Sequence, residues 1–339
     1  MGMRNLAIIN LRDLQKNALK IKKVLPQTTK LCGVVKADAY GHGAVECANA
    51  LYSICDLFAV AIIEEGIEIR QGGIDKEILV LVPPLKCDLE RALSYRLTLT
   101  VDTKKGLLDI ERLAKKLKTT AKVHIAFNSG MNRLGVDTVL GLKEILDLAK
   151  GLKYTKISGF YSHFGCPEND NARKTALDKF LLANKVVKGY NSNIISHISA
   201  SGGFLKGVYM DMVRIGILLY GYKPFESKNF LVKPIMKVYS PIIKNRTLSA
   251  NQNCMYGSKK LKRRTAVSIV RVGYADGLFR KNVHGIVNNR CMDLTALKGQ
   301  KKGMACVLSD AEVLAKQNKT ISYEILVRAS ARAERKYIR

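Results

Sequence analysis

Acidic side chains are scarce in this chain: 28 Asp and Glu stand against 57 Lys and Arg, leaving a formal charge of +29 over 339 residues. A balance this basic invites a nucleic-acid partner. Its distribution argues against a specific one. Lysines and arginines are spread in pairs and short clusters, such as Lys104-Lys105, Lys115-Lys116, residues 259–264 and Lys301-Lys302. There is no basic arm, no zinc-finger spacing and no RNA-binding sheet signature. What the charge does imply is attraction of anionic ligands and salt-sensitive nonspecific binding. Also missing is any apolar run of the roughly eighteen residues that cross a bilayer. The opening Met1-Gly2-Met3-Arg4-Asn5-Leu6 lacks the apolar core and small-residue cleavage site of a signal peptide. No membrane association and a cytoplasmic location are the expectations. The eight cysteines, Cys32, Cys47, Cys55, Cys87, Cys166, Cys254, Cys291 and Cys306, include no CxxC pair. They therefore suggest neither a zinc site nor a disulfide framework and read as reduced packing residues.

What is present is ample apolar content, 47% of residues, in a length that suits one large barrel or two domains. Eight short apolar runs read as strands: residues 31–36, 57–61, 78–82, 97–101, 122–127, 157–163, 194–198 and 212–216. Helical patterns separate them. In residues 103–117, Leu107, Leu108, Ile110, Leu113, Ala114 and Leu117 recur near the 3.6 spacing, with lysines on the other face. Eight such units predict a closed (β/α)8 barrel of the TIM type. The competitor, a doubly wound open sheet, loses its usual dinucleotide signal because no GxGxxG turn follows the first strand. After about Gly221 the texture changes to short β-rich runs, 235–239, 266–272 and 304–308, interspersed with Pro224, Pro234 and Pro241. This predicts a barrel over 1–225 and a smaller C-terminal β domain over 226–339, linked through 222–233. The basic residues 328–339 carry no assignment.

The most informative stretch is Val34-Val35-Lys36-Ala37-Asp38-Ala39-Tyr40-Gly41-His42-Gly43. It sets a lysine at the end of a strand that reads as buried on both faces, then a glycine-punctuated turn before an Ala-rich helix. Desolvation there would lower the lysine pKa and free an amine to condense with an aldehyde. By itself this lysine is as easily a surface residue closing a strand. Other polar groups, however, fall at the same barrel rim. Arg133 lies in the 129–135 turn, His163 ends the sixth strand, Ser201-Gly202-Gly203 follow the seventh, and Arg214 with Gly216 and Ile217 lie at the eighth. Loops after the last two strands are the usual phosphate position of a barrel, and glycines there leave backbone N–H groups free. A lysine beside a phosphate cradle suggests pyridoxal phosphate. His42, His124, His197 and His284 lack a carboxylate or cysteine cluster at ligand spacing and receive neither a metal nor a catalytic role.

With these residues in place, the chain resembles the alanine racemase family of fold-type III pyridoxal-phosphate enzymes over nearly its whole length. The resemblance rests on VVKADAYGHG (34–43), SGMNRLG (129–135), YSHFG (161–165), HISASGG (197–203), MVRIGILLYG (212–221), MYG (255–257), VGYADG (272–277), CMD (291–293) and TISYEIL (320–326), in family order. It implies that Lys36 carries the cofactor and serves as one of two α-proton bases. It implies Tyr256 as the opposing base, supplied from the second subunit of a homodimer. Tyr40, Ser201, Gly216, Ile217 and Tyr323 are implied as phosphate contacts, Arg214 as the partner of the pyridine nitrogen and His163 as its neighbour. Arg133 and Met292 are implied as contacts to the carboxylate of an amino-acid substrate. The implied reaction is interconversion of L- and D-alanine, feeding peptidoglycan. A serine or broader racemase, and a non-catalytic pyridoxal-phosphate-binding protein, are the competing readings. A decarboxylase is disfavoured because such relatives carry a carboxylate where Arg214 stands. Two departures stand out: Ala126 and Asn128 occupy positions where many family members have a lysine and an aspartate that set the substrate arginine, and the 276–291 stretch is shortened.

Overall fold

The computed structural model describes residues 4–227, 230–256, 260–280 and 286–339. Lys259, Gly257 of the MYG motif and His284 lie outside the described residues, as does part of the shortened 276–291 stretch. Two compact units emerge. One comprises Gln15–Ala37 and Ala44–Val232; the other comprises the described residues up to Leu14, the turn Asp38–Gly43 and Lys233–Arg339.

The strands, in chain order, are β1 (Leu6–Asn10), β2 (Lys30–Val34), β3 (Leu57–Val60), β4 (Ile78–Val80), β5 (Thr98–Val101), β6 (Ala121–Ala126), β7 (Thr155–Tyr161), β8 (Ile195–His197), β9 (Met212–Ile215), β10 (Met236–Leu248), β11 (Thr265–Val270), β12 (Thr295–Lys298), β13 (Met304–Leu308) and β14 (Glu334–Ile338). In the first unit β2 to β9 form an eight-stranded parallel sheet, ordered β8-β7-β6-β5-β4-β3-β2-β9. Backbone bonds from Asp211 N to Ser196 O (3.1 Å) and from Arg214 N to Ser199 O (3.0 Å) tie its two ends and nearly close the barrel. Each of the eight expected strands is present. They were readable because a barrel strand is covered on both faces and so becomes an uninterrupted apolar run: every residue of β3, β4, β5 and β9 is buried. The intervening helices turn one apolar stripe inward. The helix Lys104–Lys116 buries Leu107, Ile110 and Ala114, and begins where the Thr103 hydroxyl accepts from Gly106 N.

The second unit is a six-stranded sheet ordered β12-β11-β10-β1-β14, with β13 paired to β10. Its organiser is the 13-residue strand β10. The first part of β10 pairs with β1 and β13, and the second part with β11. The basic end of the chain, unassigned from sequence, forms β14, parallel to β1 from Leu6↔Glu334 to Asn10↔Ile338. Two helices, Ala311–Asn318 and Ser322–Ala329, precede it.

Between β2 and the helix Ala44–Leu51 the backbone makes an unusual turn, Lys36–Gly41. Ala37, Asp38, Ala39 and Tyr40 all have φ between 49° and 55°, followed by Gly41 at 82°. This is a left-handed helical turn built mostly from non-glycine residues, which costs about 1–2 kcal/mol per residue. Its second half is held from the chain's end: the Ser330 hydroxyl donates to Gly41 O (2.6 Å), and the Arg335 guanidinium pairs with the Asp38 carboxylate. At Gly41 there is no room for a side chain, since a Cβ would lie 2.5 Å from Leu326 O. Gly41→Ala is therefore expected to destabilise the protein by roughly 1–3 kcal/mol. Urea denaturation would read this as a lower midpoint at unchanged slope, and an unaltered midpoint would show that the turn relaxes freely.

Candidate active site

At one rim of the barrel, two residues past the end of β2, Lys36 is partly buried. Its pKa is lowered from the ordinary lysine value by burial first and then by the positive charge of Arg133; Glu65 opposes the shift and Arg214 adds to it. Glu65 also fixes the backbone around the lysine. One carboxylate oxygen accepts from Ala37 N (2.7 Å) and the other from Ala61 N (2.7 Å), joining the turn after β2 to the loop after β3.

Arg214, on β9, is only 3% exposed. Its guanidinium donates through Nη2 to Ser162 O (2.7 Å) and Ile198 O (3.3 Å), through Nη1 to His197 O (3.3 Å), and lies 5.0 Å over the Tyr161 ring. It also meets two imidazoles, His163 Nδ1 at 3.2 Å and His197 Nδ1. All these acceptors are uncharged, and burial pushes the Arg214 pKa down to about 10, still high enough to keep it cationic at neutral pH. Half-buried His163 is pushed down to about 3 by burial and by Arg214, Arg133 and Lys36, so it is a neutral acceptor.

The phosphate candidates of this unit gather nearby in the fold. Ser201 opens the short helix Ser201–Leu205, and its hydroxyl accepts from Gly216 N (3.3 Å). Ser201, Gly216 and Ile217 are all buried. Arg133 sits in an exposed loop after β6, and among the described residues no hydrogen bond or ion pair holds its guanidinium. The loop itself is organised by Asn128. Its Oδ1 accepts from Gly130 N (3.1 Å) and Asn132 N (3.0 Å), and its Nδ2 donates to Asp137 Oδ1 (2.7 Å) and Asn132 Oδ1 (3.0 Å). Asn128 and Asp137 thus shape this loop, while Ala126 is a buried barrel residue.

In the second unit the structure brings Tyr40 and Tyr323 together, with ring centroids 5.8 Å apart; burial pushes the Tyr323 phenol up to about 12. Tyr256 bridges Asn289 and is 65% exposed, and Met292 is 54% exposed. The two line one groove of about 490 Å³ with Met255, Tyr274, Cys291 and Leu294. Sequence reasoning set aside His124 and His197, yet His197 contacts Arg214 directly and His124 Nδ1 lies 3.0 Å from His197 Nε2. The available signal was a histidine inside each of two apolar barrel strands.

His42, His124 and His197 have no exposed surface, and burial is the first cause of each depressed pKa: His42 and His124 fall to about 4 and His197 well below 6.5. The unfolded chain binds protons at these sites near pH 6.5 and the folded chain does not, so stability rises with pH across the interval from about 4 to 6.5 and is lost on acidification. Unfolding free energies measured at pH 7 and pH 5 are expected to fall markedly toward pH 5; a flat profile would mean these histidines are protonated in the fold.

A parallel barrel with a pKa-lowered lysine and a cationic, neutrally partnered arginine at one rim, in a chain that also has a C-terminal β unit, fits the class of enzymes in which a lysine amine acts on a small substrate or carbonyl cofactor. Comparison with known proteins specifies which. Residues 9–224 match the family described as alanine racemase, N-terminal domain, and residues 235–337 match alanine racemase, C-terminal domain. The chain is 33% identical to an alanine racemase of Clostridium novyi, covering 98% of this chain and 95% of that one, and 31% identical to one of Staphylococcus saprophyticus, covering 97% and 93%. A solved alanine racemase from Clostridium difficile superposes with a TM-score of 0.93 at 30% identity, covering 100% of this chain and 96% of that one. One from Bacillus anthracis with bound L-Ala-P gives 0.91 at 26%, covering 100% and 96%. The chain belongs to the alanine racemase family. It is accordingly an amino-acid racemase, an isomerase.

Proposed function

We propose that this enzyme interconverts L- and D-alanine with pyridoxal phosphate, as a homodimer, by two bases acting on opposite faces of the substrate. The observation that carries this is the pairing of a lysine whose pKa is lowered by burial with Arg214, a buried cation whose partners are all neutral. The residues fit the cofactor. Lys36 would offer an amine toward its aldehyde, the Ser201 hydroxyl and Gly216 N–H would offer hydrogen bonds toward its phosphate, with Tyr40, Ile217 and Tyr323 as further contacts, and Arg214, whose two Nη groups are engaged by histidines and carbonyls, would offer its Nε–H to the ring nitrogen. When bound, pyridoxal phosphate supplies an electron sink that acidifies the substrate α-carbon. Arg214 gives up no proton near neutral pH, so it leaves the ring nitrogen unprotonated and tempers that sink, which favours returning a proton over decarboxylation or transamination. His163 supports it as a neutral acceptor.

Lys36 Nζ takes or returns a proton on one face and Tyr256 Oη does so on the other. Arg133 and Met292 hold the carboxylate. The exposure of Tyr256 and Met292 in a common groove is what an arrangement shared between subunits requires, with residues 1–225 holding the cofactor and residues 226–339 completing the other copy's site. The role is supply of D-alanine for peptidoglycan, in the cytoplasm; among the described residues no helix is long and apolar enough to cross a membrane.

The test is circular dichroism of L-alanine, and separately L-serine, incubated with purified protein and pyridoxal phosphate. The alanine signal should decay to zero faster than the serine signal. Faster loss with serine would move the assignment to a serine or broad-specificity racemase. No loss in either, with the cofactor's visible band present, would leave a binding protein without catalysis.

A further inference from the structure

Behind Arg214 the barrel interior holds a line of polar side chains that the proposed reaction does not use. Arg214 Nη1 meets His197 Nδ1, His197 Nε2 lies 3.0 Å from His124 Nδ1, and His124 Nε2 faces Glu77 Oε1 at 3.7 Å. Both histidines have no exposed surface, whereas the Glu77 side chain, immediately before β4, is 28% exposed. The line therefore runs from the reactive rim through the core to solvent.

Its hydrogens are set jointly by its two ends, a guanidinium at one and a carboxylate at the other. A guanidinium only donates, so His197 Nδ1 must accept. A neutral His197 then carries its hydrogen on Nε2 and donates to His124 Nδ1, and a neutral His124 carries its hydrogen on Nε2. Among the described residues that N–H has no hydrogen-bond partner, and the carboxylate of Glu77 is the charge it faces. Burial favours the neutral form of both rings. The packing is built around the line. Gly159 on β7 stands in register with His124, and a Cβ there would lie 2.4 Å from the imidazole. The Tyr161 ring stacks on His197 with centroids 5.0 Å apart and planes at 6°.

We propose that His124 and Glu77 are positioning residues for Arg214, acting through His197 to hold one tautomer along the line and thereby one orientation of the guanidinium. The inference rests on the reading of Arg214 as the group facing the cofactor's ring nitrogen. Removing the acceptor at position 124 frees His197 to rotate or change tautomer, and the guanidinium loses its fixed neighbour.

The test begins with apoprotein labelled with ¹⁵N-histidine. Long-range ¹H–¹⁵N spectra should show His197 and His124 each as a single tautomer with Nε2 protonated; an Nδ1-protonated His197 in the wild type overturns the proposal without any variant. In His124→Leu the single His197 tautomer should be lost. With pyridoxal phosphate and alanine, kcat for racemisation should fall roughly 10–100-fold at little changed KM, and the share of turnovers ending in pyruvate should rise. His124→Asn, whose Oδ1 can accept in place of Nδ1, should restore the tautomer and most of kcat, and Glu77→Gln should fall between the two. A leucine variant that keeps the tautomer and the product ratio, or an asparagine variant as impaired as leucine, overturns the proposal in favour of simple packing. If the wild type neither racemises nor transaminates, the proposed function fails while the tautomer result stands.

Discussion

Lys36→Ala is expected to abolish the visible absorbance of bound pyridoxal phosphate and to lower racemisation by at least about 10⁴-fold, since one substitution removes both the cofactor's attachment and one proton-transferring group. The fold should not suffer. Burial disfavours the charged amine of Lys36, so the folded state binds its proton less tightly than the unfolded chain, whose lysine titrates near 10.5. Below the lowered pKa the lysine therefore costs stability, and the cost disappears only as pH rises toward the unfolded value. Removing the amine relieves that cost at neutral pH, and the apoprotein of the variant should melt no lower than the wild type. Retained activity would sink the mechanism; lost activity with a much lower melting temperature would show that the lysine also serves packing.

The second large effect is expected at Tyr256. Tyr256→Phe should reduce racemisation by roughly 10²–10⁴-fold with the cofactor still bound. At 65% exposed, Tyr256 contributes little to the fold of its own chain, so stability should stay within about 0.5 kcal/mol. The informative readout is proton exchange in D₂O. With one base left on one face, the α-proton of one alanine enantiomer should still exchange while that of the other is nearly inert. Equal loss for both enantiomers would place Tyr256 in binding rather than in proton transfer, and no loss for either would remove it from the site.

Much of the barrel was legible in the sequence because each strand, covered on both sides, advertises itself by composition. Strands β1 and β14 were not. β1 alternates half-buried and buried positions over five residues, and β14 is Glu-Arg-Lys-Tyr-Ile with alternate side chains exposed, a pattern indistinguishable from a charged tail until its partner is known. The strand order that joins the two ends of the chain depends on pairings more than 300 residues apart, which no local window contains. At the site, Lys36, Arg214 and Ser201 were readable as chemical types at strand ends. The His197–His124 line was not, because each histidine taken singly looks like an ordinary core residue, and the space at Gly159 acquires meaning only through the register of β6 and β7. The left-handed course of Ala37 to Tyr40 was equally hidden, since none of these four residues is a glycine.

That left-handed turn has a consequence for how the enzyme comes into being. The residues that hold it are far along the chain: Ser330 lies 289 residues beyond Gly41, and Arg335 belongs to β14, which pairs with β1. During synthesis the barrel's parallel strands can assemble long before the segment after Lys36 has anything to grip, so the nascent chain carries Lys36 on an unsecured backbone until Ser330 and Arg335 have been made. Strain that only so distant a segment can offset makes the ordering of the backbone after Lys36 a late step of folding, and deleting residues 328–339 would be expected to leave the barrel strands formed and that turn relaxed.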